Sequence, residues 1–326
     1  MDSNLTYVRR GFFIEHPRKQ TILKNNISRY VLAIIYSCIA SILVHIRLRK
    51  KRVLKYKVCV CGIFKNEARF LKEWLDYHIV VGVDHFYLYN NNSTDDYKTV
   101  LQPYIAKGMI DLIDWPQPHA QMAAYKDCYE KHKNDTQWIG FIDLDEFICP
   151  LHAFSISEWL TPYLKYPSVA IYWKQFGSNG LLEHDDSKLV IEQYTSCWDK
   201  LSSYTKVFCN TNFHFEHFTT MHAINAVCKG VSIPPVNEYR KFICFGVNRI
   251  PWRSYYTIQL NHYWNKAYDI FYTNKVLRSD AHYNYDNGPI RMQLLYPHES
   301  RCVTKDHTIH RFLLAVKMLS LDNTHL

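Results

Sequence analysis

The stretch Trp138–Pro150, WIGFIDLDEFICP, decides the fold. Trp138, Ile139, Phe141 and Ile142 form a nearly unbroken apolar run, the pattern of a strand buried on both faces of a parallel sheet. Three acids follow at once, Asp143, Asp145 and Glu146. They stand where the strand leaves the carboxyl edge of the sheet, the edge at which open α/β folds bind ligands. In extended chain Asp143 and Asp145 point the same way, so a D-x-D here can hold a divalent cation. Acids at strand ends are also common without a metal, so the rest of the chain has to support the motif.

Upstream, strand and helix patterns alternate. KVCVCGIFK (57–65) predicts a first buried strand, and Cys59 and Cys61 on one face of it are core thiols. Ala68–Val80 predicts a helix, with Phe70, Leu71, Trp74, Leu75 and His78 at three-and-four spacing. HFYLYN (85–90) predicts a second strand running into NNNSTDD, a turn-forming cluster. A helix over 97–106 interrupted near Pro103, a strand over 109–115 and a helix over 121–132 follow. This β-α-β-α-β-α-β order calls for a parallel sheet with right-handed crossovers. Neither G-x-G-x-x-G nor a Walker lysine motif is present, which argues against dinucleotide and ATP sites.

Beyond Pro150 the predicted elements are a short helix over 155–164, a strand over 169–173 and a tight FGSNG loop using Gly177 and Gly180. Residues 181–250 read as loop-rich. A strand over 259–264, a helix over 266–279 and a helical segment over 308–321 complete the chain.

Composition excludes a disordered chain, with 48% hydrophobic residues and only 10 Gly and 12 Pro among 326 residues. Ten Cys without a C-x-x-C pair argue against a zinc ribbon, and nothing suggests a disulfide framework. The net charge of +9 is concentrated near the amino terminus, with seven basic residues and no acid from Arg47 to Lys57. A basic run beside the apolar stretch 30–46 reads as membrane-flanking rather than as a nucleic-acid groove. The expected organisation is a basic tail (1–29), a membrane anchor helix (30–46), a basic linker (47–56) and a catalytic domain (57–326). Localisation at a membrane follows, with orientation open because basic residues flank both ends of the segment.

In order along the chain, CGIFKNEARFLKEWLDYHIVVGVDHFYLYNNNSTDD, the helix at Gln121, WIGFIDLDEF, the W-x-x-FGSNG loop and NHYWNK resemble glycosyltransferase family 92, related to the large family 2. The resemblance spans about residues 57–280. It implies a GT-A type fold, a mostly parallel sheet flanked by helices, divided into a nucleotide-binding half (57–150) and an acceptor-binding half (151–326). It also implies a nucleotide-sugar donor such as UDP-galactose, a divalent metal (Mn²⁺ or Mg²⁺), and a glycan, glycolipid or glycoprotein acceptor glycosylated with inversion. The alternative is an inactive nucleotide- or glycan-binding protein of the same fold.

Carried over residue by residue, Asp143 and Asp145 match the family's D-x-D and contact metal, ribose or diphosphate. Lys65, Asn66 and Glu67 match a K-N-E at the nucleotide, with Asn66 also a candidate cap of the following helix. Asn90 and Asp95 stand at the second strand end, where such enzymes contact the nucleoside. Gln121 and Asp127 match polar positions of the helix before D-x-D, but six residues apart they do not share a face. His262 in N-H-Y-W is the expected further metal ligand, with Asn261 to orient it. Lys266 is the expected cation near the departing diphosphate. The base on the acceptor side is expected just after the FGSNG loop, with Asp185 or Glu183 as candidates, Asp186 beside them and Glu216 behind.

Overall fold

A computed structural model describes residues 9–10, 13–14, 24–46, 52–118, 121–218, 220–245, 247, 256–278 and 288–322. The amino-terminal helix α1 covers Lys24–Ile46. The alternating half follows: β1 (Tyr56–Phe64), α2 (Ala68–Val80), β2 (His85–Asn90), α3 (Tyr97–Ala106), β3 (Ile110–Asp114), α4 (Gln121–His132) and β4 (Thr136–Phe141). These four strands are parallel, in the order β3-β2-β1-β4. The predicted elements of this half are all present. The helix around Pro103 is continuous, however: Pro103 lies inside α3 and its carbonyl still accepts the Lys107 N–H.

β5 (Glu146–Pro150), α5 (Ile156–Leu160), β6 (Ser168–Gln175), α6 (Val190–Gln193), β7 (Thr205–Asn210) and β10 (Ile258–His262) build the second half, with a small hairpin of β8 (Ala226–Cys228) and β9 (Val231–Ile233) between. The sheet continues from β4 as β7-β6-β10-β5. β7 is antiparallel to both neighbours, β6 and β10 are parallel, and β5 is antiparallel to β10. Two of these strands depart from the expected reading: β7 lies in the stretch read as loops, and β5 begins at Glu146, the third of the acids. Because only residues 142–145 join β4 to β5, which is four places away in strand order, the sheet curls to bring its edge strand β5 back to the end of β4. The acid turn bridges that closure.

The helix expected over 266–279 is instead α7 (Tyr268–Phe271) continued by a π-helical turn, Tyr272–Leu277. A π turn is a common departure at functional sites. α8 (Gly288–Glu299) and α9 (Leu313–Asp322) close the chain, α9 packing beside α2. Cys59 and Cys61 are fully buried, and all ten cysteines are free thiols.

Two buried carboxylates make stability fall with rising pH. Glu73 accepts the N–H groups of Val190 and Ile191 at 2.7 and 3.0 Å, tying α2 to α6. Glu238 accepts the N–H and hydroxyl of Thr257. Burial raises each to about 7 from the ordinary 4.5, against those hydrogen bonds. Each carboxyl binds its proton more tightly folded than unfolded. Its contribution is therefore full below pH 4.5 and lost as pH climbs through 7. Two and a half pKa units correspond to roughly 3 kcal/mol per group. We expect Glu238→Gln to remove about that much of the stability difference between pH 4.5 and pH 8, read from urea unfolding midpoints. Equal pH dependence in variant and parent would refute the assignment.

Candidate active site

The turn Asp143–Glu146 is a closed unit. The Glu146 N–H donates to the Asp143 carbonyl, and the Asp143 N–H donates to Glu146 Oε2 at 3.0 Å. Asp143 and Asp145 therefore lie in a turn rather than in extended chain, and each has its own partners. Asp143 accepts from Gln121 Nε2 (2.8 Å), the Tyr125 hydroxyl (3.2 Å) and Lys206 Nζ (2.8 Å). Lys206 comes from the start of β7, whose antiparallel run beside β4 places its first residues at the end of β4.

Asp145 faces a different set. β10 pairs with β5 so that His262 stands opposite Glu146, which brings the imidazole Nε2 to 3.6 Å from Asp145 Oδ1. The His262 Nδ1–H donates to Gln175 Oε1 at 3.1 Å, so in the neutral ring the lone pair lies on Nε2, toward Asp145. Gln175 takes the orienting role expected of Asn261, which instead bonds Gln259 and the Tyr263 hydroxyl. Lys275 Nζ lies 2.7 Å from Asp145 Oδ2, an ammonium occupying a cation position on that carboxylate.

Electrostatics separate the three acids. Burial pushes Asp145 up, but Lys275, His262 and Lys266 outweigh it and hold the carboxyl well below its ordinary range. Asp143 is likewise lowered, because Lys206 overcomes its burial. Glu146 is completely buried, and there burial prevails over Lys206, raising its carboxyl well above the ordinary range. Burial also lowers His262 to about 3, so the imidazole is neutral at physiological pH despite Asp145 nearby. An ionised carboxylate beside a neutral imidazole nitrogen is a donor pair that suits a divalent cation such as Mn²⁺. Asp145 and His262 fit the metal role. Asp143 holds Gln121 and Tyr125 on one oxygen and Lys206 on the other.

These groups open on a cavity of about 380 Å³. Of the sequence candidates, Lys65, Glu67, Gln121, Asp143, Asp145 and His262 line it. Among the described lining residues, four cations (Lys65, Lys275, Arg278 and Arg291) face three carboxylates (Glu67, Asp143 and Asp145). Arg278 clamps the mouth, donating to the Lys65 carbonyl and to Glu67 Oε1 (2.7 Å), and Arg291 donates to the Lys275 carbonyl. Trp173 forms one wall, its ring 4.2 Å from that of His262. Lys206, Lys275, Arg278 and Arg291 escaped the sequence reading because they lie in segments read as loop, helix face or tail. The sole signal was the three-residue spacing of Lys275 and Arg278.

Other candidates have different positions. Asn66 does not cap α2: its positive φ of 51° turns its side chain to accept the Thr94 N–H. Asp95 does the capping from across the loop, accepting the Ala68 N–H at 2.7 Å. Asn90 is committed to Tyr97, Asp114 and the Ser93 N–H. Asp127 accepts from the Tyr89 hydroxyl and pairs with Lys131, away from the cavity. Lys266 is buried with its ammonium over the Phe70 ring, neither lining the cavity nor solvated on a helix. Glu183 and Asp185 lie outside the cavity. Asp185 closes a local turn with Ser187 and Lys188, and Asp186 pairs with Arg69.

The sequence profile of glycosyltransferase family 92 matches residues 55–297, most of the chain and all of this cavity's described lining. The chain belongs to glycosyltransferase family 92. A family 92 protein of Ricinus communis is 41% identical over 93 residues, which is 28% of this chain and 17% of that protein. A beta-1,4-galactosyltransferase of Caenorhabditis elegans is 27% identical over 128 residues, 35% of this chain and 30% of its own. The matches span from 16% to 30% of the curated relatives' length. Among solved structures, S. aureus TarS 1-349 in complex with UDP superposes with a TM-score of 0.29 at 12% identity, over 36% of each chain. In this family 92 chain the mostly parallel sheet is flanked by helices, and D-x-D occupies the turn from β4 to β5.

Proposed function

We propose that this family 92 chain is a metal-dependent hexosyltransferase that moves a sugar, galactose first among candidates, from a UDP-sugar to an acceptor hydroxyl with inversion. The observation that carries this reading is the meeting of Asp145 and neutral His262 with a rim of Lys275, Arg278 and Arg291 in one cavity. The beta-1,4-galactosyltransferase relative supports galactose as the sugar.

When bound by Asp145 and His262, a divalent cation supplies charge neutralisation for a nucleoside diphosphate. The chain's own groups do the rest. Lys275, Arg278 and Arg291 give the diphosphate fixed cationic donors in a partly dry cavity, where such donors act more strongly than in water. Trp173 offers a flat apolar face for a sugar ring. Gln121 and Lys206 hold Asp143 in one rotamer, so its carboxylate meets the nucleotide without reorganising.

The test is UDP release by the purified chain from UDP-galactose, UDP-glucose and UDP-N-acetylglucosamine, with Mn²⁺ and with EDTA. We expect metal-dependent release, fastest from UDP-galactose. Silence with all three donors while UDP still binds would replace catalysis by the binding-only alternative. Release unchanged by EDTA would remove the metal and leave the lysine and arginine rim as the anion site.

A further inference from the structure

Glu67, Asp143 and Asp145 line the candidate cavity, and each is paired with a cation of this chain. Arg278 holds Glu67 Oε1 at 2.7 Å, Lys206 holds Asp143 Oδ2 at 2.8 Å and Lys275 holds Asp145 Oδ2 at 2.7 Å. The carboxylates are thus neutralised by the protein's own groups. A divalent cation adds two positive charges to such a site, and a nucleoside diphosphate adds negative ones.

The three pairs differ in how firmly the cation is placed. Lys206 comes from β7, is 1% exposed and has Glu146 Oε1 at 3.7 Å as a second anion. Arg278 spans Glu67 and the carbonyls of Lys65 and Asn66. Among the described residues Lys275 has one carboxylate partner, Asp145, and its side chain is 20% exposed. The backbone of Lys275 is held in the π turn Tyr272–Leu277, where its carbonyl accepts from Arg291 Nη1 at 2.8 Å. The ammonium is carried on a flexible four-carbon stem, so the charge can move while the turn does not.

Asp145 divides its two oxygens. Oδ1 lies 3.6 Å from His262 Nε2, and Oδ2 takes Lys275. A divalent cation held by Asp145 and His262 therefore shares its carboxylate with an ammonium. One negative charge cannot compensate both, and in a partly dry cavity the two cations repel more strongly than in water. A diphosphate entering beside them offers the ammonium a new anion.

We propose that Lys275 couples metal to donor: its ammonium stays on Asp145 against a divalent cation alone and turns to the diphosphate when the two enter together. Each is then bound firmly only with the other. The inference deepens the metal-dependent transferase reading and rests on it. Coupling is reciprocal, so the nucleotide tightens the metal by the factor by which the metal tightens the nucleotide. Direct contact between metal and diphosphate gives coupling of the same sign. What marks Lys275 is that its loss strengthens the metal when the metal binds by itself.

The experiment is Mn²⁺ titration of the full chain, with free Mn²⁺ read by electron paramagnetic resonance, first without nucleotide and then with saturating UDP. Asp145→Asn, titrated alongside, identifies the Mn²⁺ bound at this site. The parent gains more than about fivefold in Mn²⁺ affinity from UDP. Lys275→Met and Lys275→Gln bind Mn²⁺ by itself about tenfold tighter than the parent and lose most of the gain from UDP. Circular dichroism establishes that both are folded. Arg278→Gln, whose cation pairs with Glu67 instead, weakens UDP and leaves the binding of Mn²⁺ by itself unchanged. A smaller gain in the parent, or Mn²⁺ binding no tighter than the parent's in both folded Lys275 variants, would overturn the coupling. UDP release from UDP-galactose by the parent keeps the two readings apart. Its absence with the Lys275 shift intact would sink the transferase and leave a coupled nucleotide site, whereas release without the shift would sink the coupling alone.

Discussion

Asp145→Asn lowers metal-dependent turnover on the order of 10³-fold while the protein stays folded. Asn keeps the shape and removes the charge that pairs with Lys275 and lies beside His262 Nε2. A metal's stabilisation of a leaving diphosphate amounts to several kcal/mol, and about 4 kcal/mol corresponds to that factor. The fold tolerates the change because Asp145 sits in a turn whose backbone bonds, from Tyr263 N–H to the Asp145 carbonyl and from Glu146 N–H to the Asp143 carbonyl, do not involve its side chain. The check is UDP release across a Mn²⁺ titration, with near-ultraviolet circular dichroism to establish folding. A folded variant turning over at the parent rate would end the metal assignment.

Lys206→Met acts on stability instead. The ammonium is 1% exposed, lies 2.8 Å from Asp143 and 3.7 Å from Glu146, and is held charged by them against its burial. Removing one partner of a buried pair leaves an uncompensated charge, which costs about 3–5 kcal/mol. In a chain of this size the melting temperature should fall by about 4–7 °C. Adding Asp143→Asn to the same variant removes the stranded charge and should restore part of the loss. Calorimetry of parent, single and double variants checks this. A Lys206→Met melting temperature within about 2 °C of the parent would show that Glu146 and Asp143 do not need the lysine.

The alternating half was legible because its signals are local. Three-and-four spacing from Phe70 to His78 and the apolar runs 57–65 and 85–90 each specify an element without reference to distant residues. The acid turn was legible for the same reason. β7 was not: Thr205–Asn210 is buried on both faces, and its TKVFCN sequence shows neither alternation nor flanking turn residues strong enough to mark it. The cationic rim was equally hidden, because Lys275 and Arg278 acquire meaning only when the π turn lays them over Asp145 and Glu67.

The capping exchange shows the same limit at a single residue. Local sequence favours Asn66 as the cap of α2, yet Asp95, twenty-seven positions from Ala68, makes the bond. Side-chain preference for a cap is short-range, whereas the parallel pairing of β1 and β2 brings both strand ends, and so both loops, together.

By itself, the sequence determined the strand and helix order of the first half, its four parallel strands, the acids at their carboxyl edge and the apolar helix before them. Each follows from periodicity and propensity within a dozen residues. Only the tertiary structure decided that Asp143 and Asp145 part company, one to Lys206 and the other to His262, and that Lys275 comes to stand on Asp145. Those outcomes depend on how a curled sheet closes and which strand lies antiparallel, long-range pairings that no local window of the chain contains.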